Sequence, residues 1–332
     1  MDNVALFSQE ERGQIFAEAA AQMGTTAAIV EKDFWVCWVL QKIYDTESLK
    51  NILLFKGGTS LSKVYNVIQR FSEDIDLILD WNLVSSENPN KDRSNNKQDK
   101  FNKQINKNAQ EFIAFMLLPK LEGLYSPVCQ LEIDINDPHC VNVKYPNAFD
   151  NAYIRPEVRL EIGPLSSWQP SREFTITPYV AQYFPKIFNQ KNIRVKAIEG
   201  KRTFWEKATI LHQEAHRPED KLQPPRYSRH YYDLAMLAHS EIKTCALADR
   251  DLLKEVIDFK KKFYPVRWAH YETAVPGSFK LIPPERIKRL LLRDYREMQD
   301  MIFGKKISLS EIFETLKELE EQINNQSPTS LS

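Results

Sequence analysis

The stretch LFKGGTSL at 54–61, followed by RFSEDIDLILD at 70–80, decides how this chain folds and what its site contains. The first part predicts a strand that ends in a glycine turn and opens a helix. Backbone N–H groups at the N-terminus of a helix bind anions such as phosphate, and glycine lets a ligand approach the backbone closely. We therefore expect Gly57, Gly58, Thr59 and Ser60 to hold phosphates.

The second part predicts a buried strand that carries two carboxylates. Asp74 and Asp76 are two residues apart, so both side chains point to one face, while Ile75 and residues 77–79 are apolar. Such a pair is costly on an apolar strand unless a cation lies between the two carboxylates. Mg²⁺, with Mn²⁺ as the alternative, takes a few carboxylates and completes its shell with water and substrate phosphates. The two parts together predict a nucleoside triphosphate at the glycine turn, with the metal ion held by the aspartates.

Both motifs resemble the nucleotidyltransferase superfamily related to DNA polymerase β, in which Gly-Gly or Gly-Ser on a short helix is followed by Asp-x-Asp/Glu on the next strand. KGGTSLSKVY at 56–65 and RFSEDIDL at 70–77 are more similar to the first motif of the AbiEii/AbiGii toxin family. This family is the toxin half of bacterial abortive-infection and type IV toxin–antitoxin systems. EKDFW at 31–35 is similar to its N-terminal helix, and the longer helix expected between the two motifs fits the toxin branch. A glycine turn beside two incidental aspartates is the alternative.

Bulk composition bounds the class of protein. A chain of 332 residues can hold two domains, and a formal net charge of zero means that any nucleic acid must bind local patches. The apolar runs are too short to cross a bilayer, and no basic region precedes an apolar run at the N-terminus, so we expect neither a membrane span nor a signal peptide. The chain has four scattered cysteines without CxxC spacing, at Cys37, Cys129, Cys140 and Cys245. This pattern argues against a zinc site and favours a cytoplasmic location.

A third carboxylate is expected from a neighbouring strand, since polymerase-like transferases need one for the second metal ion or as a base. In VRLEIG at 158–163, Arg159 and Glu161 share one face of a predicted strand. Glu161 also matches an acidic strand residue of the toxin family. Asp134 is the rival, and a surface-facing pair without a role is the third possibility.

A lysine in the second half of the chain is expected to bind phosphate. Gly200 precedes a predicted helix, Thr203 would cap it, and Glu206 would complete a capping box. Lys207 would then lie near the positive end of the helix dipole, where a lysine is out of place unless an anion is close. The resemblance implies the same role, because the family's lysine in this Trp/Phe-Glu-Lys context contacts nucleotide phosphate.

RYSRHYYDLAML at 226–237 is similar to the family's last motif. The resemblance gives Asp233 a functional role, either orienting Lys207 or positioning the substrate. The alternative is an aspartate at a helix N-terminus that balances the dipole. Arg226 and Arg229 are candidates for phosphate or RNA contact.

Several other features have a structural and a functional interpretation. Lys32 is either a solvated helix lysine or a phosphate ligand, and the basic segment 186–202 either binds RNA or is solvated. The polar segment 82–100 is expected to be a solvated, disordered insertion, although its lysines could contact RNA. His212 and His216 have a zinc-compatible spacing, but without a third ligand we expect two helix-surface histidines.

The expected fold class is α/β (α+β): a polymerase β-like nucleotidyltransferase core with a mixed sheet and flanking helices, plus a helical C-terminal domain. Residues 1–200 would form the core with its N-terminal helices, 201–325 the helical domain and 326–332 a disordered tail. Arg70 and Ser72 would support the site residues without contacting the substrate themselves.

The resemblance implies a toxin that transfers NMP from an NTP to an acceptor, often a tRNA 3′ end in the family, and that has a cognate antitoxin. Two alternatives stay open. One is a non-catalytic regulator that binds nucleotide or antitoxin, and the other is a phosphotransferase acting on protein or a small acceptor.

Overall fold

The computed structural model describes residues 1–72, 74–150 and 154–325. These residues form two compact units. The first consists of Met1–Val64 and Phe71–Ile198, and the second of Tyr65–Arg70 and Glu199–Ser332. The predicted division after residue 200 did not anticipate that residues 65–70, between the glycine motif and the acidic strand, belong to the second unit. The predicted tail, 326–332, lies outside the described residues.

The secondary structure is largely helical, and helices occur in both units. In chain order, the α-helices are α1 (Asp2–Ala5), α2 (Gln9–Met23), α3 (Ala27–Asp45), α4 (Glu47–Lys50), α5 (Gly57–Lys63), α6 (Asn95–Phe112), α7 (Leu118–Tyr125), α8 (Val180–Tyr183), α9 (Gly200–Ala215), α10 (Ser228–Ala238), α11 (Glu241–Ala248), α12 (Arg250–Phe263), α13 (Glu285–Met298) and α14 (Leu309–Asn324). Short 3₁₀ turns occupy Trp81–Leu83, Pro185–Ile187, Arg267–Ala269, Tyr271–Thr273 and Gln299–Met301.

Seven strands of the described residues form one mixed sheet in the first unit, in agreement with the predicted fold class. The strands are β1 (Leu53–Lys56), β2 (Asp74–Leu79), β3 (Gln130–Ile133), β4 (Cys140–Lys144), β5 (Glu157–Gly163), β6 (Ser171–Ile176) and β7 (Ile193–Ile198). Their order is β3-β4-β5-β2-β1-β7-β6, with β2–β5 and β1–β7 parallel and the other pairs antiparallel. The segment 153–162 also has the composition of a strand, and its first residue, Tyr153, lies outside the described residues.

The strand registers place a buried apolar row on one face of the sheet. Ile162, Leu77, Phe55 and Ala197 are paired across four adjacent strands, and all four are buried. Because side chains alternate along a strand, the neighbouring residues on β2 point to the opposite face. The acidic residues of β2 therefore lie on the face away from this apolar row.

The N-terminal helices follow the sequence signals closely. Ser8 and Glu11, which have the S-x-x-E spacing of a capping box, form one at the start of α2, and Gly24 ends the helix with φ +68°. Helix α3 packs against β5 and β7. Among the described residues, every helix is too short or too polar to span a bilayer.

The polar segment 82–100 is structured, contrary to the prediction of a disordered insertion. Helix α6 already begins at Asn95, and Arg93 organises the loop before it. The Arg93 guanidinium donates to the backbone carbonyls of Pro89, Lys91 and Asn88, and its carbon lies 3.9 Å from the centroid of the Phe101 ring. One arginine thus satisfies carbonyls that would otherwise need water.

The segment 100–123, whose apolar spacing favours one long helix, is divided between two helices. A π-helical turn, Ile113–Leu117, separates α6 from α7, and Pro119 is in the first turn of α7. Proline lacks an N–H donor and its ring clashes with the preceding turn, so a wider turn ahead of it relieves the conflict.

Helix α5, which carries the glycine motif, is shorter than predicted and is held by a buried ion pair. It ends at Lys63, whose Nζ lies 2.6 Å from Asp33 Oδ1 and 2.9 Å from the Thr177 carbonyl oxygen. The same Nζ lies 3.8 Å from the centroid of the Tyr179 ring, and Asp33 Oδ2 accepts from the Tyr179 N–H. The pair therefore connects the motif helix to α3 within the first unit.

Lys32, next to Asp33, is buried and donates from Nζ to the Arg155 carbonyl oxygen at 3.0 Å. The expectation of a solvated lysine is therefore wrong. The second unit is helical as predicted, with α10 packed against α9, α13 and α14.

Asp33→Asn should lower the free energy of unfolding by about 3–5 kcal/mol, because it leaves the Lys63 ammonium buried without its carboxylate. Urea unfolding followed by circular dichroism measures the change. The matched control is Asp99→Asn in the exposed Asp99–Lys103 pair, which should change it by less than about 0.5 kcal/mol. Similar losses in the two variants would contradict a structural role for the buried pair.

Candidate active site

The glycine turn and the acidic strand meet directly. Strands β1 and β2 are antiparallel, with Lys56 opposite Asp76. The next residue, Gly57, has φ +84°, and a Cβ placed there would lie 1.7 Å from Asp76 Oδ2. Glycine is required at this position both for the left-handed backbone and for the space that the Asp76 carboxylate occupies.

The hydroxyl groups of the motif hold the turn itself. Thr59 Oγ1 donates to the Asp74 carbonyl oxygen, and Ser60 Oγ donates to the Gly57 carbonyl oxygen at 2.7 Å. Both side chains are buried. The two hydroxyl groups are therefore engaged within the motif, whereas no described side chain caps the backbone N–H groups in the first turn of α5, which can bind an anion.

The parallel pairing of β2 with β5 adds the third carboxylate. Asp74 is paired with Arg159, and Asp76 with Glu161, so the acidic residues and the arginine share one face. The Glu161 side chain is 41% exposed and that of Asp74 is 23% exposed, which leaves both carboxylates accessible to a ligand. The structure thus brings Gly57, Asp74, Asp76 and Glu161 to one place in the first unit.

The rival carboxylate, Asp134, is occupied by hydrogen bonds. Its two oxygens accept from four donors: the N–H groups of Asn136 and Asp137, Asn142 Nδ2 and Arg159 Nη1. These contacts, chiefly the Asn136 N–H, lower the pKa of the Asp134 carboxyl group. Asp134 closes the turn after β3, and this geometry favours Glu161 as the third ligand.

The chemistry of the site fits a hard divalent cation. The three carboxylates offer the oxygen ligands that Mg²⁺ and Mn²⁺ prefer, and the missing Cβ of Gly57 leaves room for the Asp76 carboxylate beside the turn. In the described part of the chain, no group of three or more His, Cys, Asp or Glu side chains is already arranged to hold a metal ion. Mg²⁺ does not require one, because it retains water and binds substrate phosphates.

The second unit contains a buried cluster of two cations and one carboxylate. Asp233 receives Arg70 Nε and Nη2 at 2.7 and 2.8 Å, and Lys207 Nζ at 2.8 Å. The Asp233 side chain is fully buried, and those of Arg70 and Lys207 are 5% and 10% exposed. This geometry agrees with the expectation that Asp233 orients Lys207.

The charges of this cluster shift one another's pKa values. Burial acts to raise the pKa of Asp233, but the charges of Arg70 and Lys207 outweigh it and hold that pKa far below its usual range. Burial lowers the pKa of Lys207, and the charge of Asp233 only partly opposes the shift. A buried lysine whose pKa is lowered in this way favours the approach of an anion, because the anion stabilises its charged form.

Two sequence arguments about this cluster are wrong. Helix α9 begins at Gly200 after the extended residue Glu199, and Thr203 is not the cap, so Lys207 lies about two turns into the helix, away from its positive end. Asp233 is inside α10, beyond its first turn, and is buried, which rules out the alternative of an aspartate at a helix N-terminus.

The start of α10 depends on Asp294, a residue that sequence reasoning missed. Arg226, a candidate phosphate ligand, has φ +63°, and its backbone N–H donates to Asp294 Oδ1 at 2.6 Å. The Ser228 N–H donates to Asp294 Oδ2 at 2.7 Å. Asp294 is 61 residues beyond Asp233 in the sequence, so no local signal pointed to it.

His212 is buried, not on the helix surface as expected. Its Nε2 lies 3.2 Å from the His270 carbonyl oxygen, and its Nδ1 accepts from the Lys280 N–H at 3.0 Å. Burial lowers its pKa to about 4. With both ring nitrogens engaged, this neutral histidine is a structural residue.

A glycine turn against a carboxylate of the adjoining strand, with a further carboxylate on the parallel neighbour, defines a nucleotidyltransferase of the polymerase β type. The family described as nucleotidyl transferase AbiEii toxin, type IV TA system, matches residues 38–319, and the chain belongs to this family of nucleotidyltransferase toxins. Among solved structures it is similar to MenT4, a nucleotidyltransferase toxin from Mycobacterium tuberculosis H37Rv, with 15% identity, a TM-score of 0.45 and coverage of 93% of this chain and 97% of that chain. No curated protein matches.

Gly57→Ala should lower the free energy of unfolding by about 1–2 kcal/mol because of its positive φ, and it should displace the Asp76 carboxylate. Thermal unfolding measures the first effect and Mn²⁺ binding the second. Gly123→Ala on α7 is the control, since a Cβ there meets nothing within 4 Å and should stabilise the helix by about 0.5–1 kcal/mol. Unchanged stability and metal binding in Gly57→Ala would contradict the close approach.

Asp233→Asn should destabilise the protein by about 3–5 kcal/mol, because two buried cations would then face each other. Lys207→Met should cost less, since Arg70 still pairs with Asp233 through two hydrogen bonds. The Asp233 contribution, with its lowered pKa, is present above about pH 4 and is lost as the pH falls further. Urea unfolding of both variants from pH 3 to pH 8 tests the ranking, and an equal loss would refute it.

Proposed function

We propose that this toxin transfers NMP from an NTP to the 3′ end of a tRNA in a Mg²⁺-dependent reaction that releases pyrophosphate. The observation that carries the proposal is the position of Asp76, which lies against the glycine turn and beside Glu161 on the parallel strand. A modified tRNA 3′ end cannot accept an amino acid, so translation would stop.

Each predicted site residue of the first unit has a distinct role in this reaction. The backbone N–H groups at Gly57 and Gly58 bind the β- and γ-phosphates, and Thr59 and Ser60 hold that turn in shape. Asp74, Asp76 and Glu161 bind the divalent cation, which, when present, neutralises phosphate charge. Glu161 has a more exposed side chain than Asp74 or Asp134 and is placed to take the proton of the attacking hydroxyl group.

Lys207 supplies a positive charge for the leaving pyrophosphate. Support comes from the Trp/Phe-Glu-Lys context that Lys207 shares with the family, and from the Asp233 carboxylate, which lies 2.8 Å from its Nζ and fixes the ammonium. Asp233 holds the Lys207 ammonium in place, and Arg70 holds Asp233. These roles are proposals, as is the choice of Mg²⁺ over Mn²⁺.

The biological setting follows from the family. We propose that the toxin acts in the bacterial cytoplasm, where NTPs and tRNA are present, and that a cognate antitoxin restrains it. Abortive infection is the process in which such a toxin would stop the growth of an infected cell.

Asp76→Asn should reduce transfer of labelled NMP to total tRNA by at least about a thousandfold, because a lost metal ligand removes several kcal/mol of charge stabilisation. Each of the four labelled NTPs is tested in turn, with Asp99→Asn as the control that should retain full activity. Full activity in Asp76→Asn would remove the metal-site assignment.

The same assay separates the competing functions. A non-catalytic regulator would bind NTP without releasing pyrophosphate in the wild-type protein. A phosphotransferase would add phosphate in place of NMP, which mass spectrometry of the acceptor distinguishes by mass.

A further inference from the structure

Arg159 lies among the carboxylates of the site and contacts them unequally. Its Nη1 donates to Asp134 Oδ2 at 3.1 Å, and its Nη2 lies 3.1 Å from Cys140 Sγ. Its Nε is 3.6 Å from Asp74 Oδ1, and its Nη2 is 3.8 Å from Glu161 Oε1. The first two contacts have hydrogen-bond geometry, whereas the last two are longer than a hydrogen bond and are electrostatic only.

The backbone fixes this arrangement. On β5, Arg159 is paired with Asp74 of β2 on one side and Asn142 of β4 on the other. Asn142 in turn donates to Asp134, so the partner of Arg159 is itself held in place. Arg159 is therefore held by hydrogen bonds on the side of β4, whereas on the side of β2 its contact is electrostatic only.

We propose that Arg159 is a positioning residue that competes with the divalent cation for Asp74 and Glu161 and so sets the metal concentration at which the site fills. This inference rests on the proposed function. Asp134 keeps the guanidinium away from the metal carboxylates, so Asp74 and Glu161 break no hydrogen bond to Arg159 when they turn toward a cation. Arg159 and Asp134 thus have opposite effects on metal affinity.

The two residues give variants with opposite expected results. Arg159→Met removes a positive charge beside the carboxylates and should tighten Mn²⁺ binding at least about tenfold. Asp134→Asn keeps an oxygen for the turn at Asn136 but frees Arg159 to bond Asp74 and Glu161, so it should weaken Mn²⁺ binding several-fold. Arg159→Lys keeps the charge and should stay close to wild type.

The double variant distinguishes this mechanism from a simple change in net charge. If Asp134 acts through Arg159, Arg159→Met with Asp134→Asn should bind Mn²⁺ as Arg159→Met alone does. If Asp134 only adds negative field, its effect should persist unchanged in the double variant. That second result would overturn the role of Asp134.

The experiment is titration of the full chain with Mn²⁺, followed by electron paramagnetic resonance of the free ion, with and without a non-hydrolysable NTP analogue. Arg155→Met is the control, because the Arg155 side chain is 70% exposed, belongs to the same segment and pairs only loosely with Glu157 at 3.6 Å. Unfolding temperatures with and without Mn²⁺ give a second readout, and Arg159→Met should gain more from the ion than wild type.

The outcomes separate this inference from the proposed function. Unchanged or weaker Mn²⁺ binding in Arg159→Met, beside a wild type that binds Mn²⁺ and transfers NMP, overturns the inference alone. Absence of Mn²⁺ binding in every protein overturns it together with the metal site. If Arg159→Met does not fold, Asp134→Asn decides, and unchanged affinity there counts against the proposal.

Discussion

The register of β2 between its two neighbours is the constraint on which the site depends. It aligns Lys56, Asp76 and Glu161 across three strands on one face, while the adjacent row places Leu77 on the buried face. A slip of one residue would exchange the faces and drive Asp74 and Asp76 into the apolar layer. The apolar row therefore fixes the face on which the carboxylates lie, since a one-residue slip would bury their charge.

The buried ion pair of Lys63 and Asp33 fixes the helix that follows the glycine turn. A helix of one or two turns is marginal by itself, and α5 has its C-terminal end fixed by Lys63 and its first turn fixed by Thr59 and Ser60. The stretches 31–35 and 56–65, which both resemble the toxin family, meet through this pair. The resemblance thus has a structural cause, because one stretch supports the other.

The sequence was informative where the signal is local and uninformative where partners are distant. The glycine turn, the capping box at Ser8 and the shared face of Asp74 and Asp76 follow from spacing alone. The choice between Glu161 and Asp134 needed the hydrogen bonds of a turn and a neighbouring strand, which periodicity does not report. Likewise Thr203 has the residue type of a cap, but the extended backbone of Glu199 already starts the helix.

The connection between the glycine motif and the acidic strand is longer than in many polymerase-like proteins, and the contacts of its residues explain why. Residues 65–70 are not helical and belong to the second unit, where Arg70 pairs with Asp233 and forms a bridge with Ile302. The Gln69 carbonyl oxygen accepts from the Phe303 N–H at 3.0 Å. A shorter connection could not supply Arg70, and Asp233 would then lose the two hydrogen bonds that Arg70 donates to it. The added residues therefore belong to the buried cluster around Asp233. They account for the extra length between the two motifs, where the sequence predicted a longer helix.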